Sequence, residues 1–264
     1  MKRFSILAAV LAGLLFLSGC TDISGRTLNG TELEEDDSYI PGIGGELLIV
    51  ETEASEESQQ QTQTLPQEVS SFEFSPQQES FISSCLFMGD SICSGVGVYG
   101  FAPECYAKAG VAARNILEFT FDYNGYQVGP LTTLVNSGAK NLVFLMGTND
   151  VNMVSAEEYI TYYDDFLSKV ESACPDVSIY VISVPPVTAD STFCYNYELD
   201  ELNARLKNMI ESSTRSRHYI DASTLLKNKD GALRDIYSAG DSVHLTRSAY
   251  YVILYALCAG AGVV

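Results

Sequence analysis

The chain has 264 residues, 34 of them Asp or Glu against 15 Lys or Arg, giving a net charge of −19. An apolar share of 46% can build a core, which excludes wholesale disorder, and the length allows one large domain or two small ones. So acidic a chain is repelled by phosphate backbones, which speaks against nucleic acid as a partner, and two His leave little room for a His-built metal site.

The charge is unevenly spread. Residues 21–80 hold fourteen acidic side chains against one basic, Arg26, whereas residues 81–264 hold twenty against twelve. Most of the acidity therefore lies outside the segment that can fold.

From the N-terminus, residues 1–20 read as an export signal. Lys2 and Arg3 precede an apolar run from Phe4 to Leu17, fourteen residues long and shorter than the about 20 a membrane span needs. Leu17-Ser18-Gly19-Cys20 resembles a bacterial lipobox, which implies a diacylglycerol on Cys20, cleavage before it, and an exported protein held at the outward face of the bacterial cell membrane. Residues 21–79, rich in Glu, Gln, Ser and Thr, bury too little apolar surface to offset chain entropy and read as a disordered acidic tether, a solvated spacer. Leu47-Leu48-Ile49-Val50 is its one apolar cluster.

From residue 80 to 264 the pattern becomes that of one folded domain. Cys85–Met88, Leu142–Met146 and Ile179–Ile182 read as buried strands, with Tyr219-Ile220 and Cys105–Ala107 as shorter candidates. Ser155 and Glu158 make a capping box for a helix to about Ser172, stopped before Pro175. Apolar spacing predicts a second helix over 197–213, and Thr246 is placed as N-cap of a last one to about Ala259. Strand–helix alternation of this kind predicts an α/β domain, a mostly parallel sheet of about five strands between two helical layers.

Ligands of such sheets bind past the carboxyl ends of the strands. The first buried strand ends in Gly89-Asp90-Ser91 and the central one in Gly147-Thr148-Asn149-Asp150, both Gly followed by short polar residues, which let the backbone turn sharply against a substrate. A serine nucleophile needs a base. His218 begins a strand candidate, where a structural role is expected. His244 follows Asp241 by three residues, so the carboxylate can fix one ring nitrogen and leave the other for the serine proton. Asp90 adjoins the nucleophile and should point away from it; Asp150 is expected to cap a helix, with a supporting role at the site as the alternative.

These blocks resemble the SGNH hydrolases, also called GDSL-type esterases and lipases. Leu86-Phe87-Met88-Gly89-Asp90-Ser91 is similar to their first block, Gly147-Thr148-Asn149-Asp150 to their Asn-bearing block and Asp241-Ser242-Val243-His244 to their closing Asp-x-x-His. Gly110 falls where that family places its oxyanion Gly, and the blocks keep their order over about residues 83–259. The resemblance implies a flavodoxin-like three-layer fold, a Ser91–His244–Asp241 triad, and an oxyanion hole from the Ser91 and Gly110 backbone N–H groups and the Asn149 amide, with neither metal nor cofactor. The expected substrate is a short-chain ester, most plausibly acetyl, on carbohydrate. A lipase, lysophospholipase, thioesterase or O-acyltransferase would use the same triad, and the non-catalytic alternative is a surface carbohydrate-binding module. Gly-x-Ser-x-Gly is absent, since Cys93 stands in its last position.

The remaining cysteines carry no metal-site spacing. Cys85 and Cys258 sit in apolar runs and are expected as buried thiols, whereas Cys93, Cys105, Cys174 and Cys194 lie in or near loops and any pair could bridge. Gly95-Val96-Gly97 and Gly42-Ile43-Gly44-Gly45 lack the Lys-Ser/Thr continuation or the context of a phosphate loop. Tyr159, Tyr162, Tyr163, Tyr195 and Tyr197 read mainly as packing residues with sugar stacking as the alternative, and residues 187–197 as part of a substrate rim.

Overall fold

The computed structural model describes residues 73–264. The export signal, Cys20, the Gly42–Gly45 run, the Leu47–Val50 cluster and nearly all of the tether lie outside the described residues.

The first helix, α1 (Pro76–Ser84), starts four residues before the boundary read from composition. Ser75 and Gln78 form a capping box around Pro76, and Phe74 packs edge-on against Phe101. The chain then runs through β1 (Cys85–Gly89), α2 (Ser91–Val98), β2 (Cys105–Ala107), a hairpin of β3 (Phe121–Tyr123) and β4 (Tyr126–Val128), and α3 (Pro130–Ser137). It continues with β5 (Asn141–Leu145), α4 (Ala156–Ala173), β6 (Ser178–Ile182), α5 (Asn196–Glu211), β7 (Arg217–Ile220), the short α6 (Ser223–Leu226) and α7 (Arg247–Gly260).

The main sheet has the order β2-β1-β5-β6-β7 with every pair parallel. The expected α/β class and five-stranded sheet are what the structure contains. Alternate residues of each strand enter opposite cores, which is why the runs are apolar throughout. Phe87, Val143, Leu145, Ile182 and Ile220 meet α7 through Val252, Ile253 and Leu257. Leu86, Met88, Leu142, Phe144 and Val181 meet α4 and α5 through Tyr159, Tyr163, Phe166, Leu202 and Leu206. Taken in sequence, the sheet's strands are ordered 2-1-3-4-5, so the direction of winding reverses between β1 and β5 and opens a crevice at their carboxyl ends.

Several details differ from the sequence reading. The β3–β4 hairpin was not foreseen; its turn is Asn124-Gly125, both at positive φ (53° and 84°), as a two-residue type I′ turn requires. Strand β7 extends back to Arg217, a buried guanidinium that pairs with Glu171 and Asp164. His218 is a strand residue stacked on Tyr180. Thr246 is the N-cap residue of α7, as expected, but its hydroxyl donates to the Ile236 carbonyl and makes no side-chain bond to the helix N–H groups. All six cysteines from Cys85 to Cys258 are free thiols; Cys93 and Cys194 are buried, and the Cys105 thiol donates to the Cys93 carbonyl at 3.5 Å.

Candidate active site

Strand β1 delivers Ser91 through a turn that only glycine permits. A Cβ on Gly89 would lie 1.9 Å from the Leu145 carbonyl oxygen of β5, so the two strands approach too closely there for any side chain. Asp90 then caps α2, its Oδ1 accepting from the Ile92 (2.9 Å) and Cys93 (3.4 Å) N–H groups, and Ser91 is the first helical residue. An N–H at that position has no intrahelical acceptor, and it sits at the positive end of the helix dipole. Asp90 itself is buried. Burial pushes its carboxyl up to about 7, against the Ile92, Cys93 and Gly147 N–H groups that pull it down. Its carboxyl is engaged by the start of α2, and the partner of His244 is Asp241 instead. Behind α2, Gly95 leaves room for the ring of Tyr250, whose hydroxyl donates to the Ile92 carbonyl at 2.6 Å; the Gly-Val-Gly run is a packing feature.

His244 arrives on the loop before α7. Asp241 Oδ1 accepts from the backbone N–H groups of Val243 (3.1 Å) and His244 (2.7 Å), folding the segment into a local turn with Ser242 at φ 70°. Its Oδ2 lies 2.6 Å from His244 Nδ1, and His244 Nε2 lies 3.0 Å from Ser91 Oγ. Slight desolvation pushes the Asp241 carboxyl up, but the His244 and Val243 contacts together outweigh it and hold it at about 2. An ionised carboxylate can only accept, so Nδ1 carries the ring hydrogen and Nε2 is left to accept from the Ser91 hydroxyl. The pair is open to water: the His244 and Asp241 side chains are 45% and 55% exposed.

The third wall comes from the loop after β2 clamped to the turn after β5. Asn149 Nδ2 donates to the Val111 carbonyl at 2.9 Å, and the Asn149 carbonyl accepts from the Arg114 guanidinium. Buried Asp150 takes the Ala113 N–H at 2.8 Å, the Arg114 N–H at 3.3 Å and Arg114 Nη1 at 3.2 Å. Desolvation raises its carboxyl, and these donors oppose the rise. Asp150 is therefore no helix cap, as the sequence reading favoured, but the pin that holds the Gly110 loop. Gly110 has φ 82° and stands exposed at the head of that loop, its carbonyl accepting from Asn115 Nδ2. Gly147, at φ 143°, has no room for a Cβ, which would lie 2.5 Å from Val184.

The structure thus joins Ser91, His244 and Asp241 directly. Asn149 is joined to the residue after Gly110, on the neighbouring wall. Sequence reasoning passed over Arg114 altogether, because its partners lie 35 and 36 residues away and no local pattern announces them.

Residues 87–252 match the GDSL-like lipase/acylhydrolase family, nearly the whole of the folded part. No curated protein sequence matches the chain. Among solved structures, a GDSL-like lipase from Bacteroides thetaiotaomicron superposes with a TM-score of 0.52 at 16% identity, covering 70% of this chain and 91% of that one. A protein assigned as an acylhydrolase from Bacteroides fragilis gives 0.51 at 18% identity over 70% and 93% of the two chains. An acetyl-xylooligosaccharide esterase from Geobacillus, in a mutant form, gives 0.50 at 14% identity over 67% and 93%. At these identities the superpositions speak for the fold, and the family match speaks for the chemistry. The chain belongs to the GDSL-like lipase/acylhydrolase family, the SGNH hydrolases, and is an ester-hydrolysing enzyme.

Proposed function

We propose that the protein removes short acyl groups, acetyl above all, from carbohydrate, through an acyl-enzyme on Ser91 and at the outer face of a bacterial membrane to which acylated Cys20 tethers it. The observation that carries the mechanism is the continuous line from Ser91 Oγ through His244 to Asp241, at 3.0 and 2.6 Å.

His244 Nε2 takes the Ser91 proton as Oγ bonds to the ester carbonyl carbon, and Asp241 stabilises the imidazolium. The tetrahedral oxyanion is held by the Ser91 N–H, the Gly110 N–H and the second hydrogen of the Asn149 amide, whose first is engaged by Val111. One such donor is worth about 3–4 kcal/mol of barrier. The imidazolium returns its proton to the departing alkoxide as the ester C–O bond breaks. Water, deprotonated by His244, then cleaves the acyl-enzyme and restores the Ser91 hydroxyl.

The carbohydrate part is supported by the export signal and by the use of this fold in an acetyl-xylooligosaccharide esterase. Acetate release from a panel of acetylated polysaccharides, compared with Ser91→Ala, tests the reading. Rates on aryl esters that climb from acetyl to octanoyl would replace it with a lipase. Fluorophosphonate labelling that survives Ser91→Ala would remove Ser91 from its role, and a Cys20→Ala protein still in the membrane fraction would remove the anchor.

A further inference from the structure

The segment between β6 and α5 leaves the carboxyl edge of the sheet, the edge that carries Ser91 and Asn149, and it is bound to both neighbouring walls of the site. The Thr188 N–H donates to the Ser242 carbonyl at 3.1 Å, inside the Asp241–His244 turn. Asn152, three residues beyond Asn149, donates its amide to the Phe193 carbonyl. Asn196 closes the segment on itself, its Oδ1 accepting from the Val187 N–H and its Nδ2 donating to the Val187 carbonyl, both at 2.9 Å.

Within this braced segment Cys194 points inward, into a small core with Val184, Val187 and Leu199 that also touches Val151 and Val243. Its chain neighbours are thereby turned outward. Phe193 is 41% exposed, Tyr195 61% and Tyr197 69%, and the two tyrosine rings stack at 5.6 Å with only 11° between their planes. Burying an aromatic side chain stabilises a fold by about 2–3 kcal/mol, so three aromatics held in water on a fixed backbone forgo a gain the core could have used. Exposed aromatic surface beside a reaction centre marks a binding surface.

Its chemistry narrows the occupant. Stacked on each other, the two rings leave their outer faces to solvent, flat surfaces suited to the C–H face of a pyranose and less to an acyl chain, which needs an enclosed trough. No Lys or Arg occurs from residue 170 to 204, and the cations that reach the start of α5 from outside that stretch are already engaged, Lys227 by Asp200 and Arg205 by Glu201. With Asp190 and Glu198 in the same segment and no free cation offered there among the described residues, an anionic lipid surface or acidic glycan finds no counter-charge, which leaves a neutral sugar.

We propose that Tyr195 and Tyr197, with Phe193 beside them, form a stacking subsite for a neutral pyranose residue of the ester's alcohol part, fixing substrate choice next to Ser91. The inference deepens the carbohydrate reading above and rests on it for the identity of the ester.

The test separates binding from turnover. Ser91→Ala protein is titrated calorimetrically with xylohexaose, mannohexaose and hexagalacturonate, alone and combined with Tyr195→Ala/Tyr197→Ala or with Tyr195→Phe. A neutral hexasaccharide should bind, the double alanine change should weaken it at least tenfold, and Tyr195→Phe should retain it. A parent that binds neither neutral hexasaccharide, a double variant that binds as the parent does, or tighter binding of hexagalacturonate overturns the subsite. In the Ser91 enzyme the kcat/KM ratio of acetylated hexasaccharide to aryl acetate should fall at least tenfold on the double change, chiefly through KM. Ring-dependent binding without acetate release from the acetylated hexasaccharide would support the subsite and count against the proposed reaction.

Discussion

Asp150→Ala should damage stability and turnover together, by separable amounts. Asp150 is buried and accepts from Ala113, from Arg114 and from the Arg114 guanidinium. Removing the carboxylate leaves the buried Ala113 N–H unpaired, at a cost of about 1–3 kcal/mol. It also breaks a pair with Arg114, whose side chain keeps 23% exposure and so loses less than a fully buried partner would. Together these give roughly 3–4 kcal/mol, and at about 2–4 °C per kcal/mol for a domain of this size the melting temperature should drop by roughly 6–16 °C. The catalytic loss has another origin. Asp150 pins the loop that carries Gly110 and the Val111 carbonyl against which Asn149 is oriented. Freeing it should misplace one or two of the donors proposed for the oxyanion, lowering kcat by about 10²-fold with little change in KM, since donors in that role act on the transition state. The assay is a circular-dichroism melt, with kcat and KM on an aryl acetate measured at least 20 °C below the variant's own midpoint. Asn149→Ala and the double variant complete a cycle, and the double should lose much less than the product of the single effects. A variant with lowered melting temperature but kcat within threefold of wild type would reduce Asp150 to a structural residue and refute the reasoning.

Other consequences follow from the same geometry. Asp241→Asn can offer its amide N–H to Nδ1 and favour the wrong tautomer, so kcat should fall about 10³–10⁴-fold; a loss under tenfold would contradict the role given to Asp241. Because Asp241 is held at about 2, it stays ionised throughout pH 4–9, and its own titration should add no inflection to the wild-type rate over that range. Asp90 has the opposite sign: its native carboxyl is raised to about 7, above its unfolded value of about 3.9, so its proton-linked stability is full at pH below about 4 and is lost as pH rises through 7. Asp90→Asn, which keeps a capping oxygen, should therefore flatten the fall of stability between pH 5 and 8, by at most about 3 kcal/mol; a wild-type melt that does not decline over that interval relative to the variant would exclude a raised carboxyl. Gly89→Ala places a Cβ 1.9 Å from the Leu145 carbonyl oxygen, and a cost above about 4 kcal/mol should leave the protein unfolded; a variant melting within 5 °C of wild type would show that β1 and β5 can part.

What the sequence disclosed depended on the range of the interactions concerned. Strands β1, β5 and β6 are legible because each is buried on both faces and so reads as an unbroken apolar run. Helix α4 is legible because Ser155 and Glu158 satisfy each other within one turn. The Asp241–His244 pair belongs to the same class, its contacts spanning three residues. Helix α1 carries an equally local signal in Ser75-Pro76-Gln77-Gln78, but the Glu/Gln-rich composition around it masked the capping box. The Asn124-Gly125 turn was likewise present in the letters and unused. The Asp150 and Arg114 clamp is different in kind: a carboxylate after Asn reads locally as a cap, and only the fold brings it to N–H groups 36 and 37 residues earlier.

That difference in range also divides the labour within the site. Ser91 and Asn149 leave adjacent strands paired at Gly89 and Leu145, so their separation is set by a parallel ladder with cores on both faces. The base is set by a short loop, closed by Ala239 N–H to the His244 carbonyl at 2.8 Å, by the Ser238–Leu245 bridge, and by Thr246 N–H to the Tyr237 carbonyl at 2.9 Å. One cross-link, Thr188 to Ser242, ties that loop to the aromatic segment. A sugar seated on Tyr195 and Tyr197 would therefore bear on the backbone that aims His244 and, through Asn152 and Phe193, on the turn after Asn149, while the β1–β5 ladder itself stays fixed. In such an arrangement the alcohol part of the substrate is read on the side of the base and the carbonyl on the side of the sheet. Changes of substrate preference should then be achievable through side chains of residues 187–197 that leave the Thr188–Ser242 and Asn152–Phe193 bonds intact, without disturbing the donors proposed for the oxyanion.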